Sequence, residues 1–267
     1  MPSPAPIIII TDLDGTLLDH DSYLFDAALP TLNLLKQQNI PLLLNSSKTA
    51  AEMLVIREQL DNDFPFIVEN GAGIYLPNNE GYDIIRFGEE RETILKLLKQ
   101  IRTDHDLPFI GFNDMTIEEL MADTGLDRKA AENAKQRDFT EPLRWLGNDA
   151  QCGLFCTEME QADLKVVKGG RFHCVSSKVD KGQALQWLRD YYQTKLDDSP
   201  VFIALGDSDN DKPMLESADY AVLVRSTSHD LPEINSDKLI ITNETGPLAW
   251  NNSLRTLLEK INHIHSG

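Results

Sequence analysis

The sequence predicts an α/β fold, a Rossmann-like parallel-sheet core interrupted by an inserted α+β cap domain. Two observations carry this expectation. Short uninterrupted apolar runs alternate with segments of helical period in the order β-α-β-α-β, and strands of that kind belong to parallel sheets buried on both faces. The pattern breaks near Asn78 and resumes after residue 177. The core is therefore expected over residues 1–79 and 178–267, and the insertion over 80–177.

The elements follow in order. Ile7-Ile8-Ile9-Ile10-Thr11 reads as a first buried strand. Leu29, Leu32 and Leu35 set a helical period over 26–39, and Ile40 to Leu44 is a second strand ending in Asn45-Ser46-Ser47-Lys48-Thr49. A helix is expected over 50–60, then a short strand, Phe66-Ile67-Val68, leading into Glu69-Asn70-Gly71. In the insertion, a turn at 78–81 precedes a helix over 90–103. Thr116 and Glu119 have capping-box spacing for a helix over 117–124, and 127–136 reads as a charged helix. Short strands are expected over 153–157 and 164–167. Downstream come a helix over 181–193, a buried strand over 201–205, a short helix over 213–217, a last strand over 220–224 and a terminal helix over 247–263.

Composition narrows the function classes. The chain has 267 residues, 41% hydrophobic and 25% charged, as a soluble globular protein does. With 25 Lys and Arg against 43 Asp and Glu, the net charge is −18, which opposes general binding to nucleic acid or anionic membranes. No apolar run approaches the ~20 residues of a membrane helix. Met1-Pro2-Ser3-Pro4-Ala5-Pro6 lacks the basic and apolar regions of a signal, so a cytoplasmic location is the expectation. Cys152, Cys156 and Cys174 fit a reducing compartment, and they read as strand or core thiols rather than as a zinc pair.

The chemistry-bearing residues collect where strands end, the edge at which open α/β sheets bind ligands. Asp12 and Asp14 follow the first strand, spaced to share a face if the extended conformation persists. Adjacent carboxylates repel, which leaves a shared acid/base pair or a divalent-metal site in which one Asp is also the nucleophile. A plain Asp-Gly-Thr turn is the bland alternative. Asp207 adds a third hard oxygen ligand suited to Mg²⁺. Ser46 sits where a hydroxyl and backbone N–H groups bind an anion at a helix start. Lys181 opens a helix as a cation facing phosphate, with Asn210 and Asp211 placed to orient a phosphate or the metal site.

Asp-Leu-Asp-Gly-Thr at 12–16, Asn-Ser-Ser at 45–47, Lys181-Gly182 and Gly-Asp-Ser-Asp-Asn-Asp at 206–211, in this order, resemble the haloacid dehalogenase superfamily of phosphohydrolases along the whole chain. The resemblance implies that Asp12 attacks phosphorus and that Asp14 serves as acid and then base. It also implies Mg²⁺ as cofactor, held by Asp12, the Asp14 carbonyl and Asp207 with Asp211 beside them, and phosphate bound by Ser46, Lys181 and Asn210.

Within that superfamily, the segments at 45–53, 69–74, 137–142, 169–172 and 206–215 are similar to those of mannosyl-3-phosphoglycerate phosphatases. The partner so implied is a small phosphorylated sugar-glycerate. Close alternatives are glucosyl-3-phosphoglycerate or sucrose phosphate, or phosphoryl transfer as in phosphomannomutase. Lys48 and Arg171 suit the substrate's phosphate or carboxylate, His173 is a further donor, and Glu69 and Asn70 are placed to meet hydroxyls. Each has a bland reading as a solvated or cap-internal charge. The spacing also departs from the family pattern, since His173 follows Phe172 directly and Cys174 takes the next place. Arg137 and Glu141 are read equally as family residues or as an exposed helix-end salt bridge.

Overall fold

The computed structural model describes residues 5–169 and 171–266. Met1 to Pro4 of the N-terminal segment and Gly170 of the Gly-Gly-Arg-Phe segment lie outside the described residues. The chain runs β1 (Ile7–Thr11), α1 (Leu29–Gln37), β2 (Leu42–Asn45), α2 (Ala50–Leu60), β3 (Phe66–Val68), β4 (Gly73–Asn78) and β5 (Gly81–Arg86). It continues through α3 (Arg91–His105), β6 (Phe109–Gly111), α4 (Ile117–Thr124), α5 (Arg128–Lys135), β7 (Thr140–Trp145), α6 (Asp149–Gln161), β8 (Leu164–Lys168) and β9 (His173–Ser177). It ends with α7 (Lys181–Gln193), β10 (Val201–Gly206), α8 (Lys212–Ser217), β11 (Tyr220–Arg225), β12 (Leu239–Thr245) and α9 (Gly246–Ser266).

Two compact units result. The first takes the chain up to Ser46, Asp63–Asp83 and everything from Asp180 on, and the second takes Ser47–Asn62 and Ile84–Val179. Helix α2 falls with the second because the Thr49 hydroxyl at its N-cap donates to the Asn133 carbonyl of α5 at 2.9 Å.

The first unit is built on a sheet in the order β12-β11-β10-β1-β2-β3-β4-β5. The pairs from β12 to β3 are parallel, and β4 turns back antiparallel to β3. β1 is central, flanked by β10 and β2, so Ile8, Ile9 and Ile10 are covered on both faces and stay within 1% of full burial. This is why the strand reads as an unbroken β-branched run. β11 is not the last strand. Leu239–Thr245 pairs beside it as β12, a stretch whose exposed edge residues hide it from apolar-run reading.

The second unit holds an antiparallel sheet in the order β6-β7-β9-β8, with α3 and α6 supplying Ile94, Leu98, Ile101, Phe155 and Met159 to its core. The expected strand over 153–157 is instead the middle of α6. Asn148 and Gln151 form a reciprocal cap at its start, and Phe155 and Met159, four apart, bury one helical face. The Thr116–Glu119 capping box of α4 forms as the spacing predicts. Among the described residues, no helix is long and apolar enough to cross a membrane.

Candidate active site

β1 ends at Thr11, one residue before the first carboxylate. The chain then turns tightly: Thr16 and Leu18 both donate to the Leu13 carbonyl, and Gly15 takes φ +77°. Asp12 and Asp14 are therefore placed by a turn, and the extended spacing invoked from sequence does not continue through them. Asp12 is buried and Asp14 half-buried. The Asp12 backbone is held from both sides. Its N–H donates to the Leu205 carbonyl of β10, and its carbonyl accepts from the Thr11 hydroxyl at 2.8 Å. That hydroxyl in turn accepts from the indole of Trp250, a fully buried side chain of α9.

Lys181, at the start of α7, is the one buried cation of the cluster, and its side chain is wholly covered. Its ammonium donates to Asp12 Oδ1 at 2.5 Å and to Asp211 Oδ1 at 2.6 Å. Burial works against the charged lysine, but the two carboxylates outweigh it and its pKa is raised. For Asp12, burial and then the Asp211 charge push the pKa well up, with Lys181 opposing. Asp211 is itself filled with donors, since Oδ2 accepts from the N–H groups of Asp207 and Ser208 at 3.0 and 3.1 Å.

Asp207 closes the group. One of its oxygens accepts from the Thr16 hydroxyl at 3.2 Å, and the other lies 3.1 Å from His229 Nε2. Burial and the Asp211 charge raise its pKa, against His229 and Thr16. His229 was not legible from sequence: it stands on an irregular segment with no motif around it. Its Nδ1 faces the Asp230 carbonyl at 3.0 Å, so both ring nitrogens meet acceptors and both bonds form together only in the imidazolium. Burial opposes that charge, yet these two bonds raise its pKa.

Ligand atoms of Asp12, Asp207 and Asp211 lie within 4.8 Å of one another, and the Asp14 carboxylate is outside this set. The donor set fits a metal ion. Three buried carboxylates face one buried ammonium and a half-exposed imidazole, a deficit of positive charge that hard oxygen ligands meet with a divalent cation. Space is also kept for it to do so: a methyl group on Gly15 would sit 2.5 Å from Asp207 Oδ2.

The other sequence-predicted residues divide between the two units. Ser46 follows β2, and the preceding Asn45 Nδ2 donates to the Lys181 carbonyl at 3.3 Å. Asn210 lies in the Asp207 loop and donates to Asn70 Oδ1 at 3.0 Å, while Glu69, 1% exposed, begins the same turn as Asn70. Lys48, Arg171 and His173 belong to the second unit. Arg171 donates to the carbonyls of Asp123 and Thr124, closing the C-terminus of α4. His173 on β9 has Nε2 at 3.8 Å from Cys152 Sγ, and burial with the Lys168 charge lowers its pKa. Glu141 corrects an expectation: it is no exposed helix-end residue. It is fully buried on β7, bound by Arg91 Nε at 2.7 Å and by the Asn113 N–H at 2.7 Å. Arg137 donates to Thr140 Oγ1 at 2.8 Å.

The fold and this cluster define a class, and comparison with known proteins names it: the chain belongs to the haloacid dehalogenase-like hydrolase family, matched over residues 9–250. It is 38% identical to a glucosyl-3-phosphoglycerate/mannosyl-3-phosphoglycerate phosphatase of Methanococcoides burtonii, across 96% of this chain and 99% of that one. It is 36% identical to a protein of the same description from Persephonella marina, across 96% and 98%. The solved structure of a haloacid dehalogenase subclass IIB sugar phosphatase superposes with a TM-score of 0.63 at 13% identity, covering 94% of this chain and 98% of that one, and shares its fold.

Proposed function

We infer that this protein is a phosphatase that hydrolyses mannosyl-3-phosphoglycerate, glucosyl-3-phosphoglycerate or both. The observation that carries the reading is the buried Asp12–Lys181–Asp211 pairing beside Asp207, in a chain that aligns end to end with relatives of that description.

The residues divide the work. The Asp12 carboxylate attacks phosphorus, forming an aspartyl phosphate as the bond to the glycerate oxygen breaks. Asp14 gives that oxygen a proton, then takes one from the water that cleaves the acyl phosphate. Lys181 opposes the rise that burial and the Asp211 charge impose on the Asp12 pKa. Ser46, Lys181 and Asn210 bind the phosphate oxygens. Mg²⁺ would be held by the Asp12 and Asp207 carboxylates, the Asp14 carbonyl and Asp211, and would supply the charge neutralisation that two anions need in order to meet. Residues 80–177 choose the sugar, with Arg171 and His173 among them.

A panel of phosphorylated sugars and sugar-glycerates, assayed for phosphate release with and without Mg²⁺, tests this. The two sugar-phosphoglycerates should lead. Equal rates on all substrates, or isomerised sugar phosphate without free phosphate, would overturn it. Asp12→Asn should lose turnover while keeping the fold.

A further inference from the structure

The turn after β3 has a backbone that side chains rarely adopt. Glu69, Asn70 and Gly71 take φ of +50°, +60° and +95° in succession. Two of the three carry side chains in the left-handed region, and such conformations persist only where the surroundings over-determine them. Around this turn lie all three loops assigned to the phosphate.

Each contact is specific. The Asn70 N–H donates to the Ser46 carbonyl at 2.9 Å, fixing the loop after β2. The Asp180–Lys181 backbone passes directly over Gly71: a methyl group there would stand 2.1 Å from the Asp180 carbonyl oxygen and 3.0 Å from the Lys181 nitrogen. The start of α7 can thus lie where it does only because residue 71 has no side chain. Finally, Asn70 Oδ1 accepts from Asn210 Nδ2 at 3.0 Å, while the Ser208 hydroxyl donates to Asn210 Oδ1 at 2.5 Å. With its oxygen taken by a donor, the Asn210 amide has one orientation, and its second N–H is free of the Asn70 bond to meet an anion.

We propose that Asn70 is a positioning residue for phosphate binding: its side-chain oxygen sets the Asn210 amide, and its main-chain N–H holds the Ser46 loop in the same frame. This rests on the phosphatase reading above, in which Ser46, Lys181 and Asn210 receive the phosphate. Asn70 itself need not touch the substrate, so the hydroxyl-binding part first read for it is replaced by a part played through Asn210.

The test isolates the side-chain bond. Asn70→Gly keeps the left-handed backbone and the N–H but removes Oδ1. Binding of inorganic phosphate, measured by calorimetry in Mg²⁺ buffer, should weaken about 3- to 10-fold, the span of one neutral hydrogen bond. KM for the phosphorylated substrate should rise by a similar factor with a smaller change in kcat, and the unfolding midpoint should hold. In an Asn210→Ala background the same change should have no further effect. Wild-type phosphate affinity in N70G, or an equal loss in both backgrounds, overturns the proposal. If the protein binds phosphate but hydrolyses no phosphomonoester, the phosphatase reading falls while the cycle still scores Asn70. If it hydrolyses normally and N70G is silent, Asn70 alone is refuted.

Discussion

Lys181→Met isolates what one buried cation does. Methionine fills nearly the same volume, so the change removes charge and hydrogen bonds with little loss of packing. It leaves Asp12 and Asp211 facing each other without the ammonium that now stands 2.5 and 2.6 Å from their oxygens. Breaking a buried ion pair from one side costs ~3–5 kcal/mol. At about 2–4 °C per kcal/mol for a chain of roughly this size, the midpoint should fall by about 6–20 °C. The sign with pH is fixed by the raised lysine pKa: the stabilisation is complete below the unfolded value of 10.5, so it is fully present at neutral pH. In the variant, the Asp12 pKa, already raised by burial and the Asp211 charge, loses its opposing partner and rises further. Protonation then relieves the repulsion, so the deficit should shrink as pH falls from 7.5 to 5. Thermal and urea unfolding in the presence of a chelator would measure it, with the buried Trp250 as one reporter. A deficit below about 1 kcal/mol at pH 7.5, or one that widens toward pH 5, would refute the argument.

Three further outcomes follow from the same geometry. Adding Mg²⁺ should raise the unfolding midpoint, by about 2.7 kcal/mol of stability at a hundred times the dissociation constant. Asp207→Asn should abolish that rise, and an unchanged response would remove Asp207 from the metal set. Gly15→Ala should cost about 1–2 kcal/mol from its left-handed backbone alone, read by urea unfolding. It should also weaken the Mg²⁺ response, because the new methyl meets Asp207 Oδ2 at 2.5 Å. Glu141 has its pKa raised by burial despite Arg91, so its contribution relative to Gln is present below the unfolded value near 4.5 and lost as pH rises through the folded one. The stability of wild type relative to Glu141→Gln should therefore grow as pH falls from 7 toward 4.5, and a flat or reversed trend would contradict the burial argument.

How far these features could be read from sequence depended on how local their causes are. β1 was legible to the residue because a strand covered on both faces must be apolar throughout. The Thr116 cap was legible because its bonds close within four residues. The helix over Gly153 was misread as a strand because its partners, Phe155 and Met159, declare a helical face only once the antiparallel sheet is there to cover them. β7 went unread because Glu141 and Arg144 interrupt its apolar pattern, and Arg91, fifty residues earlier, makes the buried carboxylate tolerable. In the site, Asp12, Lys181, Asp207 and Asp211 came together as their order along the chain suggested. His229 did not announce itself, since its place beside Asp207 is set by an irregular segment whose path no local pattern encodes.

The central position of β1 has a consequence for the order in which this protein is made. Its pairing with β10 spans 194 residues, from Ile7 to Val201, the Thr16–Asp207 bond 191, and the Trp250–Thr11 bond 239. At about 5–20 residues per second, a ribosome needs roughly 10–40 s to deliver the Asp207 loop after the isoleucine strand has emerged. For that interval a run of four isoleucines with high strand propensity has no neighbour on one side. Pro6 bounds it in front and Asp12 and Asp14 behind, the kind of residues that keep an open strand from pairing with another copy. Asp12 and Asp14 thus also place charge at the end of the apolar run while its strand partner is still unmade.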